Sequence, residues 1–220
     1  MDLERLDHVA LWVEDRDAIA SFATAHLGMH VIERTDRFTL VGADARRGKL
    51  TLFGAEPGRE AGALAEIGLR VTSVERAVAA LPNGHQERFE ICEGLWISLV
   101  EAETEVDYDL HHVALRTADP ERAVAGWEAL GMKQAADTRL EVAGAYVELR
   151  PGDPGDPERP LLNHLGVLVE SADDWQARAE AAGAEIADVV DAPNTYAVFV
   201  WGPERVKLEY VEHKPSFSLE

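Results

Sequence analysis

Two histidines and two glutamates in the second half of the chain stand at positions from which they could together hold a metal ion. His112 and His164 each lie near the start of an alternating apolar stretch, and Glu148 and Glu209 lie in later alternating stretches. Successive side chains of a strand point to opposite faces, so all four are predicted to lie on the face away from the apolar residues. Two imidazoles and one or two carboxylates there would chelate a divalent ion such as Fe(II), Mn(II), Zn(II) or Ni(II).

These positions are equivalent because the chain repeats itself. Residues 6–29 read LDHVALWVEDRDAIASFATAHLGM and residues 110–132 read LHHVALRTADPERAVAGWEALGM, and weaker copies begin near residues 64 and 163. Each copy predicts a strand, a polar helix cap, a helix of about ten residues and further β-rich segments. The predicted caps are Asp15, Ser73, Asp119 and Ser171, and the predicted helix stops are Gly28, Gly131 and Gly183.

The four copies predict an α+β fold of four βαβββ modules. We expect the modules to pair into two cup-shaped half-barrels of mixed sheet with the helices outside. The acidic segment 102–109 is the predicted boundary between an N-terminal pair of modules, 1–105, and a C-terminal pair, 106–220. In this interpretation the C-terminal pair holds the metal.

The first half matches the metal pattern poorly. His8 has the strand position of His112, but the second module carries Glu66 there, and the final strands of the two modules offer Leu52 and Ser98. One histidine and one glutamate are not a convincing site. We therefore interpret 1–105 as structural or substrate-covering and expect no metal in it.

Composition limits the partners and the compartment. The net charge of −20 repels phosphate backbones and anionic lipids, so we expect no nucleic acid and no membrane as partners. No apolar run reaches the ~18 residues of a membrane helix, and the first residues lack a signal-peptide pattern. Cys92 is the single cysteine, which excludes an intrachain disulfide and a cysteine-based metal site and fits a reducing cytoplasm. The edge strands would allow a homo-oligomer.

The repeated openings and the final hairpin resemble the vicinal oxygen chelate superfamily, which includes glyoxalase I, bleomycin resistance proteins and extradiol dioxygenases. The resemblance rests on His8-Val9-Ala10-Leu11, on His112-Val113-Ala114-Leu115, on His164-Leu165-Gly166-Val167 and on the ending 199–209. It implies that the last glutamate of the ending, Glu209, is a metal ligand. It also implies a small-molecule substrate.

Two reactions compete within this resemblance. Four modules with a C-terminal site resemble an extradiol dioxygenase that cleaves a catecholic ring with Fe(II), the favoured metal, held by His112, His164 and Glu209. With Glu148 added, the ligand order is similar to that of bacterial glyoxalase I, in which a glutamate shuttles a proton in a lyase or isomerase reaction. We place extradiol cleavage first, glyoxalase- or epimerase-like proton transfer second, and a non-catalytic binding or resistance protein third.

The remaining site residues are weaker candidates. Arg116 and Lys207 could hold an anionic group of the substrate, and Tyr146 lies on the predicted cup face. Extradiol enzymes usually carry a tyrosine ten residues before the last ligand, where this chain has Phe199. Tyr196, like Tyr146, could replace it as the acid–base group, and Glu148 could also move a proton.

Overall fold

The computed structural model describes residues 2–82, 85–92 and 94–219. Its elements, in chain order, are β1 Arg5–Val13, α1 Arg16–His26, β2 His30–Arg34, β3 Phe38–Asp44, β4 Arg47–Gly54, β5 Leu64–Val71, α2 Val74–Ala80, β6 Arg88–Cys92, β7 Leu95–Glu101, β8 Tyr108–Thr117, α3 Pro120–Ala129, β9 Lys133–Ala136, β10 Arg139–Val142, β11 Ala145–Pro151, β12 Leu162–Leu168, α4 Ala172–Ala181, β13 Ile186–Asp191, β14 Thr195–Trp201 and β15 Lys207–His213.

The elements form four modules, each beginning with a strand and a helix. Modules one, three and four have the predicted βαβββ order, whereas module two has two strands after its helix within the described residues. The predicted caps are confirmed, since the Asp15 carboxylate accepts from Ala18 N at 2.9 Å and the Asp119 carboxylate from Arg122 N at 3.1 Å. Ser73 and Ser171 cap α2 and α4 in the same way.

The strands form two open mixed sheets, as the sequence predicted, but the modules are paired differently. The eight-stranded sheet has the order β13-β14-β15-β12-β1-β4-β3-β2, and the seven-stranded sheet has the order β6-β7-β5-β8-β11-β10-β9. Modules one and four therefore share one sheet, and modules two and three share the other. The expectation that 1–105 and 106–220 each build a cup is wrong, because β1 pairs antiparallel with β12 and β5 with β8.

The core lies between each sheet and its helices. On β1, Val9, Leu11 and Val13 are buried with at most 1% of their surface exposed. Helices α1 and α4 cover the eight-stranded sheet, and α2 and α3 cover the seven-stranded one. The opposite faces carry the polar side chains that alternation predicted. We call these faces the eight-stranded cup and the seven-stranded cup.

None of the described helices is long and apolar enough to cross a bilayer.

The sheet order predicts that neither half of the chain is complete without the other. Separation of the chain into 1–105 and 106–220 would expose one edge of β1 and of β5 in the first half, and one edge of β8 and of β12 in the second. We expect the co-expressed halves to purify as a 1:1 complex with the far-ultraviolet circular dichroism of the intact chain. Two halves that fold as separate monomers and do not associate would contradict this pairing.

Candidate metal centre

Three buried side chains meet on the floor of the eight-stranded cup. His8 Nε2 lies 3.0 Å from His164 Nε2 and 2.8 Å from Glu209 Oε2, and His164 Nε2 lies 2.9 Å from the same oxygen. Each residue is less than a tenth exposed. Within the described ranges this is the one group of three or more histidine, cysteine and acidic side chains whose donor atoms converge closely enough for a metal ion.

Two irregularities in the β1–β12 pairing orient the imidazoles. The register pairs Leu6 with Val167 and His8 with Gly166, so Asp7 is an extra residue on β1, and Asn163 is skipped likewise on β12. Asp7 Oδ2 lies 2.9 Å from His8 Nδ1, and Asn163 Oδ1 lies 3.1 Å from His164 Nδ1. Oxygen acceptors at both Nδ1 atoms favour rings that donate from Nδ1 and turn a lone pair on Nε2 toward the cluster.

The histidines and carboxylates of the cluster shift each other's pKa values. Burial alone would lower the pKa of His8, but the facing carboxylates of Glu209 and Asp7 outweigh it and raise that pKa to about 9. Burial alone would raise the pKa of Glu209, yet the two histidines hold it well below its usual range. Burial lowers the pKa of His164. The site therefore favours a carboxylate that faces positive charge.

Asp7 is held by a second cation. Its carboxylate is 1% exposed and lies 2.8 Å from Lys49 Nζ, and His213 Nε2 approaches its other oxygen at 3.8 Å. Burial alone would raise the pKa of Asp7, but Lys49 and His8 lower it to about 2. Asp7 therefore stays ionised and can hold His8 in one orientation.

The residues fit a divalent ion. Glu209 Oε2 is buried and has no hydrogen-bond partner among the described residues, although both Nε2 atoms are within 3 Å of it. A cation between the three atoms would satisfy them together. Donors bonded at ~2.1 Å and at right angles around one ion lie ~3.0 Å apart, which matches the three separations. His8, His164 and Glu209 thus have the spacing of three adjacent positions around a six-coordinate ion.

The predicted set of His112, Glu148, His164 and Glu209 does not come together. His164 and Glu209 lie in the eight-stranded cup, but His112 and Glu148 lie on β8 and β11 in the seven-stranded cup. The position expected for His112 is taken by His8, which is not among the ligands expected from the sequence. The reason is the sheet order, which joins module four to module one rather than to module three.

The weaker candidates are also dispersed. Arg116 donates to the carbonyl oxygens of Gly62 and Leu64, which is a structural role. Tyr196 turns toward α4 and donates to Asp173 at 2.8 Å, so its placement as an acid–base group beside the metal ligands is wrong. Tyr146 lies beside His111 in the seven-stranded cup.

Lys207 is the weaker candidate that lies beside the cluster. It pairs in register with His164 and lies two residues before Glu209 on β15. It therefore shares the face of Glu209.

Comparison with known proteins identifies the family. The sequence model of the glyoxalase/bleomycin resistance protein/dioxygenase superfamily matches residues 5–101 and 109–210. The chain belongs to this superfamily. No curated protein sequence matches it.

Solved structures share the fold of this superfamily member. A protein of Bacillus subtilis described as a dioxygenase has a TM-score of 0.76 and 16% identity, with 98% of this chain and 87% of that chain covered. Glyoxalase I from Zea mays has a TM-score of 0.74 and 16% identity, with coverage of 94% and 92%. The cppA protein of Streptococcus pneumoniae has a TM-score of 0.65 and 15% identity, with coverage of 96% and 100%. At these identities the likeness concerns the fold alone.

The seven-stranded cup of this superfamily member holds an ion-pair network at the equivalent positions. Glu66, which replaces the histidine of module four, lies 2.8 Å from Arg88 Nε and 2.7 Å from Arg150 Nη2. His112 Nε2 is 3.2 Å from Glu66 Oε1 and 3.9 Å from Glu148 Oε2. Guanidinium groups thus surround the buried Glu66 carboxylate.

The first site prediction concerns the ligand set. We expect metal analysis of the purified protein to find about one divalent ion per chain, and His8→Ala and Glu209→Gln to lower the metal affinity more than about tenfold. His112→Ala is the matched control and should leave it unchanged, because His112 lies in the other cup. Loss of metal in His112→Ala with retention in His8→Ala would restore the grouping that the sequence suggested.

The second site prediction concerns acid stability. Burial alone would raise the pKa of Glu66, but hydrogen bonds from Arg150, Arg88 and His112 lower it to about 2. A depressed folded-state pKa stabilises the protein above the ordinary value of 4.5, and this contribution is lost as the pH falls toward 2. Glu66→Gln should therefore lower the free energy of unfolding at pH 7 and approach wild type near pH 2.

Urea unfolding at pH 7, 4.5 and 3 measures this difference. Glu56→Gln is the control, since Glu56 is exposed. A constant difference between wild type and Glu66→Gln across these pH values would contradict the role given to the Glu66 ion pairs.

Proposed function

We propose that the protein is a metal-dependent enzyme that cleaves the ring of a catecholic substrate in the extradiol manner. One divalent ion, with Fe(II) favoured, would be held by His8, His164 and Glu209. The observation that carries the proposal is the residue at the fourth ligand position, Thr51.

Thr51, and not its neighbour Leu52 as expected from the sequence, stands where a second carboxylate would complete a four-ligand site, since Leu52 is buried in the core. In the eight-stranded cup Gly166 pairs with Glu209 on the last strand of module four, and Ala10 pairs with Thr51 on the last strand of module one. The corresponding residue of module three is Glu148, which pairs with Ala114. With threonine there, a six-coordinate ion held by three side chains would keep three positions free, which is the number that a bidentate catecholate and O2 need.

Aromatic side chains lie beside His164 in the eight-stranded cup. The ring centroid of Phe199 lies 5.0 Å from that of His164, and the Phe53 ring lies 6.5 Å from it. Phe53 also contacts Trp12 at 5.1 Å and Phe38 at 5.7 Å. Flat apolar walls of this kind favour an aromatic ring over a flexible polar substrate.

We propose that Lys207 binds the negative charge of the substrate. It lies on the strand of Glu209, and burial lowers the pKa of its ammonium group. A half-buried lysine can hold an anionic oxygen of the substrate and can accept or return a proton. In this proposal Lys207 takes the acid–base role expected of Tyr196.

The ion would supply binding of two adjacent substrate oxygens and electron transfer with O2. The protein side chains hold the substrate ring, exclude water from it and orient the ligands. We further propose a cytoplasmic location, because the single cysteine and the His/Glu ligand set suit a reducing compartment.

The test separates ring cleavage from proton transfer. Anaerobic protein reconstituted with Fe(II) is given a panel of catechols and then air, and yellow ring-cleavage products are followed. We expect turnover in wild type and in Thr51→Val, and its loss in His8→Ala. Thr51→Glu should bind metal at least as tightly but lose turnover, because a second carboxylate, as the fourth protein ligand, would occupy a position that substrate or O2 needs.

The nickel and zinc forms are assayed in parallel with methylglyoxal hemithioacetals. Isomerisation there without catechol turnover in the Fe(II) form would overturn the proposal in favour of glyoxalase-like chemistry. Absence of activity in both assays, with metal bound, would favour the alternative of a non-catalytic binding protein.

A further inference from the structure

The two cups differ systematically at equivalent register positions. On β4 the residue two places after Thr51 is Phe53, and on β11 the residue two places after Glu148 is Arg150. Both side chains share the cup face of their strand. An aromatic wall of the eight-stranded cup thus corresponds to a guanidinium group in the seven-stranded cup.

The same difference, an aromatic residue in one cup and an arginine in the other, occurs on the other side of the cup. Phe199 pairs with Glu209 in module four, and Arg88 pairs with Ser98 in module two. Since Ser98 and Glu209 are equivalent, Arg88 occupies the place of Phe199.

A third difference of this kind, between leucine and arginine, lies on the strands next to β4 and β11, which are β3 and β10. Leu40 pairs with Thr51 on one sheet, and Arg139 pairs with Glu148 on the other. Three apolar positions around the metal centre are therefore three arginines in the seven-stranded cup.

These arginines are only partly used by the protein itself. Among the described residues, Arg88 Nε and Arg150 Nη2 each donate one hydrogen bond to Glu66. Arg139 has one long ion pair, at 3.9 Å to Glu148. Arg150 also lies 3.6 Å from Glu148 Oε2. A guanidinium group presents about five N–H donors, so most donors of the three arginines have no partner among the described residues. The three side chains are 48%, 38% and 43% exposed, in the order Arg88, Arg150 and Arg139.

Aromatic rings hold two of the guanidinium groups in place. Arg88 lies over the ring of Trp96 at 4.0 Å, and Arg139 lies over Tyr146 at 5.0 Å. Such stacking fixes the plane of a guanidinium group and lowers the entropy that is lost when it binds a ligand. The arginines are therefore preorganised.

The arginines lie together in a protein whose net charge is −20. They lie around the carboxylates of Glu66 and Glu148, and internal pairing of Glu66 would need two arginines at most. The donors that remain are available to an anionic ligand.

We propose that the seven-stranded cup binds a small oxyanion, a carboxylate or phosphate group, through Arg88, Arg139 and Arg150. Planar guanidinium groups recognise both groups by paired hydrogen bonds. A metal ion is disfavoured there, since both oxygens of Glu66 already accept from arginine. The site is distinct from the metal centre, so the proposal does not depend on the reaction proposed above.

The experiment titrates the intact protein with inorganic phosphate and with malonate at low ionic strength. Calorimetry measures the stoichiometry, and tryptophan fluorescence reports on Trp96 beneath Arg88. We expect about one saturable anion per chain, weakened more than about tenfold in Arg88→Gln and in Arg139→Gln. Arg34→Gln is the matched control, because it removes the same charge from the exposed pair with Asp17. It should bind within about twofold of wild type.

Two further measurements keep the result decisive. Arg139→Lys retains the charge but not the planar guanidinium group, so it should bind the anion more weakly than wild type. Circular dichroism and metal content should be unchanged in every variant. Binding of phosphate alone or malonate alone would identify the anion group. Binding that does not saturate, or that weakens equally in Arg34→Gln, would overturn the proposal and leave the arginines as counter-ions of Glu66.

Discussion

The antiparallel pairing of β1 with β12 is the interaction on which the metal centre depends. It joins the first module to the last and sets His8 opposite Gly166, two residues from His164. Glycine is required there, because a Cβ on residue 166 would lie 2.2 Å from His8 Cε1. The pairing thus places both imidazoles close together. Glu209 lies on the neighbouring strand, in register with the same glycine.

The irregularities of this pairing matter as much as its register. Asp7 and Asn163 are the residues that interrupt the ladder, and they are also the ones that contact the Nδ1 atoms of the histidines. A regular ladder would place the side chain before His8 on the helix-covered face. In the seven-stranded sheet the corresponding extra residue is His111, which contacts His112 instead. That sheet has the same scaffold but lacks the carboxylate that would orient an imidazole for a metal.

Much of the local structure could be predicted from the sequence. The repeated motif, the caps at Asp15 and Asp119 and the alternation that turns His164 and Glu209 to the cup face were all visible in short segments. Which modules share a sheet was not visible, because pairing one with two satisfies the same local patterns as pairing one with four. The misplacement of His112 follows from that long-range choice. One signal favoured His8, namely that its surroundings repeat those of His112 almost residue for residue.

The two cups place different side chains at equivalent positions of one scaffold. Each cup presents equivalent positions on four central strands, and their side chains decide whether a cation or an anion is favoured. With His8, His164 and Glu209 the positions provide lone pairs that a cation can satisfy. With Glu66 buried among Arg88 and Arg150, the protein supplies the cations itself, and removing one would leave a buried carboxylate poorly compensated. Folding can therefore complete the seven-stranded cup without metal, whereas an ion bound in the eight-stranded cup would contribute to stability, because it would bind a site formed by both ends of the chain.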